Sequence, residues 1–172
     1  MTAQLTRRNL AMLVLCATAS RVGHAADQLP LPSDKVILSV SGRIHTVNKS
    51  GSAEFDRAML EALGMESFET TTPWYNGPVK FEGVRLQKLM QAVGATGKSV
   101  TAVALNDYTT DIPLADFEHY GVLLALKRDG NEMPVRDKGP LFIVYPYDSK
   151  PELKSQKFYS RSAWQVAKLE VA

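Results

Sequence analysis

The apolar positions of this chain fall into short runs punctuated by Gly, Pro and Asx-Gly pairs. "KVILSVSG" (35–42) is β-branched and ends on Gly42, which is the pattern of a strand. "SAEFDRAMLEALG" (52–64) predicts a helix. Ser52 can cap it, Glu54 suits its first turn, Phe55, Met59, Ala62 and Leu63 form one apolar stripe, and Gly64 ends it. "MESFETTT" alternates in part and predicts extended chain. In "TTTPWYNG" (70–77) threonines lead into Pro73, and Asn76-Gly77 favours a tight turn, so Trp74 and Tyr75 are expected where a strand breaks into a loop. "GVRLQKLMQAVG" (83–94) predicts a second short helix with Leu86, Leu89, Met90 and Val93 on one face.

The second half of the chain is strand-rich. "SVTAVALN" (99–106) predicts a strand leading into "DYTTDIPL", and "LADFEHYG" (114–121) a helical turn. "GVLLALKRDGNEMPV" (121–135) predicts a hairpin reversing at Asp129-Gly130. After the turn "RDKGP", the run "LFIVYP" (141–146) is apolar throughout, as in a strand buried on both faces. "WQVAKLEV" (164–171) alternates and predicts a closing strand. Strands outnumber helices, and the helices are short. The expected class is therefore α+β, compact and mainly β, and not a regular βαβ winding.

The N-terminus changes how composition is read. Arg7 and Arg8 precede an apolar stretch from Leu10 to Ala19, and Gly23 and Ala25 are small. This predicts an export signal over 1–25, twin-arginine-like or Sec, with a mature domain over 26–172 in the periplasm. A lipoprotein site at Cys16 is the competing reading, but Leu15 stands where a small residue is wanted. The leader holds three of the 20 basic residues (Arg7, Arg8 and Arg21) and none of the 18 acidic ones, so 17 basic face 18 acidic in the mature part. That balance gives no case for nucleic acid or for insertion into a membrane. Cys16 is the only cysteine, so the mature part has no disulfide, no thiolate metal ligand and no cysteine nucleophile.

Local motifs for chemistry are sparse. His45 and His119 lie far apart, and no Cys/His cluster, Gly-x-Ser-x-Gly elbow, phosphate loop or dinucleotide fingerprint occurs. The acidic pairs Asp56/Glu61 and Asp111/Asp116 read as solvated surface. No catalytic or metal-binding residue is therefore assigned. Polar residues at strand ends say more. Asn106, Asp107 and Tyr108 follow one apolar strand, Arg136, Asp137 and Lys138 precede another, and Arg161 and Ser162 precede the last. If these clusters meet, they form a cleft suited to a flat heteroaromatic with donor and acceptor edges. The competing reading makes Asp107 and Arg161 a surface pair, and Trp74 and Trp164 packing residues; the residues alone leave both open.

"FEGVRLQKLMQAVG", "ALNDYTTDIPL", "VLLALKRDGNEMPVRDKGPLFIVYP" and "SRSAWQVAKLEV", in that order, resemble the sulfite-oxidase-type molybdopterin-binding domain from about residue 35 to 171. The resemblance implies a compact, mainly β, α+β domain that holds a pterin between sheet edges. Catalytic members supply a cysteine thiolate to molybdenum from the segment before the "GVxL" helix. Here that segment is "TTTPWYNGPVKF", which has no soft ligand. The chain looks closer to a short, stand-alone periplasmic branch marked by "RDKGPLxIVYP" and "RSxWQ". That likeness implies binding of a metal-free pterin, with occupancy reported to the periplasmic domain of a membrane receptor, such as one controlling cyclic-di-GMP. By it, Trp164 or Trp74 stacks on the pterin, Asp107 reads the aminopyrimidine edge, and Arg161 with Ser162 holds the polar side. Asn106 and Tyr108 belong to the same strand-end signature, and Lys138 lies in the "RDKGP" turn. The alternatives are a molybdenum-cofactor oxidoreductase or its subunit, and an interaction domain that has lost its ligand.

Overall fold

A computed structural model describes residues 29–172; the leader expected over 1–25, with Cys16, lies outside the described residues. The chain runs β1 (Leu38–Gly42), β2 (Ser52–Phe55), α1 (Arg57–Ala62), β3 (Met65–Thr72), β4 (Tyr75–Arg85), α2 (Leu86–Ala92), β5 (Ser99–Ala104), β6 (Thr109–Pro113), α3 (Leu114–Tyr120), β7 (Leu123–Arg128), β8 (Asn131–Glu132), β9 (Phe142–Val144), α4 (Gln156–Arg161) and β10 (Val166–Val171). Short 3-10 turns occupy Val135–Asp137, Tyr147–Ser149 and Pro151–Leu153. One sheet has the order β2-β1-β10-β5-β6; the other runs β3-β4-β7-β8, with β9 also pairing β7. Only β1 and β10 pair in parallel among these ladders, which is the α+β, mainly β architecture the pattern predicts. No helix among the described residues is long and apolar enough to cross a membrane.

One cluster of buried side chains draws on both sheets and on α1 to α4. Alternation puts Leu38 and Val40 of β1, Val100 and Ala102 of β5, and Leu169 and Val171 of β10 into it. Phe142, Ile143 and Val144 are all fully buried, as expected for the apolar run in β9. At the reversal between β7 and β8, Asp129 has φ 49° and Gly130 φ 78°, the backbone a two-residue hairpin with matching twist requires.

Four expectations are corrected. The helix foreseen from Ser52 begins at Arg57, because Ser52–Phe55 pairs antiparallel with β1 and buries Ala53 and Phe55. Its cap is Asp56, whose carboxylate accepts the N–H of Met59 (2.9 Å), Ser33 (2.8 Å) and Asp34 (3.1 Å). Asp56 is thus buried and engaged, not solvated surface, and these backbone donors hold its pKa below the ordinary carboxylate range. The second helix begins at Leu86 because Gly83 to Arg85 belong to β4. Gly83 pairs with Ala125 so closely that a Cβ there would strike the Leu124 carbonyl.

The tight turn expected at Asn76-Gly77 is instead at Pro73-Trp74. Proline pre-sets the first central position of such a turn. The register steps from Thr71 opposite Pro78 to Thr72 opposite Tyr75, so Asn76 and Gly77 form a bulge in β4, with Gly77 at φ 73°. β2, β4, β6 and α4 have no counterpart among the separate elements foreseen.

Phe81 shows what the core contributes. It is fully buried, with ring centroids 5.8 Å from Phe142, 6.3 Å from Tyr75 and 6.5 Å from Phe68. Phe81→Ala should lower unfolding free energy by about 3–5 kcal/mol. Urea unfolding of the purified protein checks this, and a loss below about 1 kcal/mol would mean that the site collapses or that Phe81 is not a core residue.

Candidate ligand cleft

The β3–β4 turn delivers Trp74 into a knot of aromatic rings. Its ring centroid lies 5.5 Å from Phe142, 5.6 Å from Trp164, 6.0 Å from Tyr159 and 6.2 Å from Tyr147, each in edge-to-face geometry. This is the arrangement the ring quadrupoles favour, worth about 0.5–1.5 kcal/mol per pair beyond area burial. The four rings come from β9, the approach to β10, α4 and a 3-10 turn, so both sheets contribute. Trp74 and Trp164 both remain half-buried, each keeping part of its surface open.

Beside this knot opens a cleft of about 340 Å³, within the usual range for small-molecule sites. Pro73 and Trp74 line it from the β3–β4 turn, and Asn106 and Tyr108 from the β5–β6 turn. Gln156, Tyr159 and Ser160 come from α4, and Ser162, Ala163 and Trp164 from the link to β10. Every lining side chain is uncharged. Ser162 is held inward: its hydroxyl donates to Phe158 O (3.0 Å) and is hydrogen-bonded to the Tyr147 hydroxyl. Burial pushes the Tyr147 phenol well above its ordinary pKa, so it stays protonated. Tyr108 donates to Ser160 O at 2.8 Å, bridging two walls of the cleft.

Of the eight residues singled out from sequence, Trp74, Asn106, Tyr108, Ser162 and Trp164 meet in the cleft. Lys138 stands beside it, with its ammonium 5.2 Å from the Trp164 ring centroid and 4.9 Å from that of Tyr75. Asp107 sits in the exposed β5–β6 turn at φ 62° and does not line the cleft. Arg161 faces the other side of α4 and donates to Asp116 Oδ2 at 2.7 Å. Asp116 is itself buried, against the expectation of solvated surface, because Tyr145 also donates to that oxygen (2.8 Å).

Sequence reasoning passed over Gln156, Tyr159 and Ser160, because α4 is one short turn-rich stretch with little apolar period. It also passed over Asp148, which ties the 147–149 turn to the end of β3. Asp148 accepts the Thr71 hydroxyl (2.7 Å) and pairs with Lys154 (2.6 Å), two residues ahead of the turn that carries Trp74.

These features describe a two-sheet α+β domain with an uncharged, aromatic-walled candidate cleft between sheet ends. Within that class the chain belongs to the oxidoreductase molybdopterin binding domain family, whose model matches residues 48–150. No curated protein matches the chain. The family match includes Trp74, Asn106 and Tyr108 but ends before the wall formed by Gln156 to Trp164.

The donor set decides how far the family's cofactor suits this cleft. Partly open indole faces and neutral amides suit the flat ring system of a pterin. The lining has no Cys, His, Asp or Glu, and no group of three such residues poised for a metal occurs among the described residues. The residues present thus fit the pterin ring, and the lining offers no thiolate to a molybdenum centre.

The Lys154 ammonium and the Thr71 donors hold the Asp148 pKa well below the ordinary carboxylate range. Its folded value is depressed, so its contribution is present above the unfolded value of about 4 and is lost as pH falls from there toward the folded value. Asp148→Asn should therefore flatten the acid limb of the stability curve below about pH 4 and leave its neutral plateau nearly parallel to wild type. Urea midpoints across pH test this; an unchanged acid limb would show that Asp148 is not held in its charged form by the fold.

Proposed function

We propose that this protein binds a free, metal-free pterin in the periplasm without catalysing its conversion. We further propose that it reports occupancy to the periplasmic domain of a membrane-bound receptor. The observation that carries the reading is the cleft: Trp74 and Trp164 beside neutral Asn106 and Gln156 amides, with no thiolate at hand. A pterin is flat, and its aminopyrimidinone edge alternates donors and acceptors, which amides match in both directions. Family membership supports recognition of this ring system. The Arg7-Arg8 leader supports the periplasm.

The roles divide by position. Trp164 and Trp74 supply ring surface, Asn106 and Gln156 supply the edge, and the Ser162 hydroxyl stays committed to Tyr147 and Phe158. Asp107 and Arg161 are left outside the contact set. Reporting requires that the receptor bind the loaded and empty forms with different affinity, since equal affinity shifts nothing. The Tyr108 and Ser160 rim is suited to this, because it borders both the cleft and solvent.

Titrating the purified protein with biopterin while following tryptophan fluorescence should give saturable quenching at micromolar concentration. Trp164→Ala should weaken it roughly 5- to 150-fold, the equivalent of about 1–3 kcal/mol of stacking. Absence of saturation, or an unchanged affinity in Trp164→Ala, would sink the proposal. Family membership also favours a second reading, a molybdenum-cofactor oxidoreductase or its subunit; stoichiometric molybdenum in protein purified from its native source would establish that reading instead.

A further inference from the structure

Helix α4 is six residues long and has no side-chain cap at Ser155. Such a helix has little stability of its own, so tertiary contacts decide where it sits. It nevertheless contributes Gln156, Tyr159 and Ser160 to the cleft and leads into Ser162 and Trp164. Its opposite side carries Phe158 and Arg161. The Phe158 ring packs 5.1 Å from Tyr120 and 5.3 Å from Tyr145, and the Arg161 guanidinium lies 5.6 Å from the Phe158 centroid.

The polar part of this contact is a three-residue node. A single oxygen, Asp116 Oδ2, accepts from both Arg161 (2.7 Å) and Tyr145 (2.8 Å). Tyr145 is fully buried, Asp116 nearly so, and the ion-paired side chains of Arg161 and Asp116 are 17% and 12% exposed. A charge this enclosed needs its partner, because removing one member leaves the other uncompensated. The node joins α3, the β9 exit and the C-terminal end of α4, one residue before Ser162.

We propose that Arg161, Asp116 and Tyr145 are positioning residues that set the α4 wall of the cleft from behind, so that Arg161 governs ligand affinity without touching the ligand. This rests on the pterin-binding reading for its ligand, but its geometric content concerns the empty protein. A guanidinium engaged on Asp116 and laid over Phe158 cannot also reach into the cleft. What it controls is how far Tyr159, and through it Trp74, stand from Trp164.

The test uses the full mature protein with Arg161→Met, which keeps the aliphatic stem over Phe158, Asp116→Asn, and the double variant. Arg161→Lys serves as the conservative rescue, and Tyr145→Phe as the mild variant should Asp116→Asn fail to fold. Two readouts are taken: the near-ultraviolet circular dichroism of the ligand-free protein, which senses the Trp74–Trp164 pair, and biopterin affinity. Arg161→Met and Asp116→Asn should each alter the ligand-free spectrum with far-ultraviolet signal unchanged. Each should weaken biopterin by about tenfold, a size that couplings between contacting residues commonly reach, and the double variant should lose no more than either single one. Arg161→Lys should recover part of the loss.

A loss of affinity in Arg161→Met with Asp116→Asn and Tyr145→Phe at wild-type affinity and spectrum would mean that Arg161 contacts the ligand, and would overturn the proposal. Additive losses, or spectra identical to wild type in every variant, would also overturn it. If wild type binds no biopterin, the functional reading fails, while the ligand-free spectra still decide the positioning role.

Discussion

The packing of Trp74 is the constraint on which the rest of this site depends. One indole at a hairpin turn meets rings from β9, α4, the 147–149 turn and the approach to β10 in edge-to-face contact. Those partners all lie within residues 142–164, far from Trp74 in sequence, on the stretch that runs from β9 of one sheet to the lead into β10 of the other. Fixing the indole therefore fixes the spacing between sheet ends, and the cleft is the space left beside it. Close packing leaves little freedom to move one ring without moving its neighbours. The same contact explains why Trp74 is both packing residue and cleft wall: its edges are engaged by other rings while part of its surface stays open.

Charge is arranged around this knot and kept out of it. Arg161 is neutralised by Asp116 behind α4, Arg128 pairs with Asp137 at 2.8 Å, and Asp148 pairs with Lys154 at the far side of the hairpin. Lys138 lies over the Trp164 and Tyr75 rings, a cation–π arrangement that leaves the cleft lining uncharged. An uncharged, aromatic cleft discriminates by shape and by hydrogen-bond edges more than by net charge.

Much of the fold was legible in local pattern. The β-branched run at β1, the alternation in β10, the fully apolar β9 and the Asp129-Gly130 reversal each read directly, because alternation, burial on two faces and positive φ leave distinct residue choices. The misreadings share one cause. Residues 52–55, the Asn76-Gly77 pair and residues 83–85 have local preferences that a neighbouring strand overrides. Pairing with β1 extends 52–55, the Pro73-Trp74 turn converts Asn-Gly into a bulge, and β7 claims Gly83. β-Structure is decided by the partner strand, and the partner is not in the window being read.

The site divides along the same line. Sequence alone determined which residues could serve: two tryptophans, strand-end amides and tyrosines, and the absence of any cysteine beyond residue 16. It also pointed to the family, whose model spans 48–150. Only tertiary structure decided which of them meet. Trp74, Asn106, Tyr108, Ser162 and Trp164 converge because the β3–β4 turn, the β5–β6 turn and the lead into β10 end at one edge of the two sheets. Arg161 turns away because a buried carboxylate lies on the far face of α4, and Asp107 is lifted out by its left-handed turn. Residue type sets the chemistry a side chain can offer. Its direction is set by what packs behind it, and that comes from segments tens of residues away.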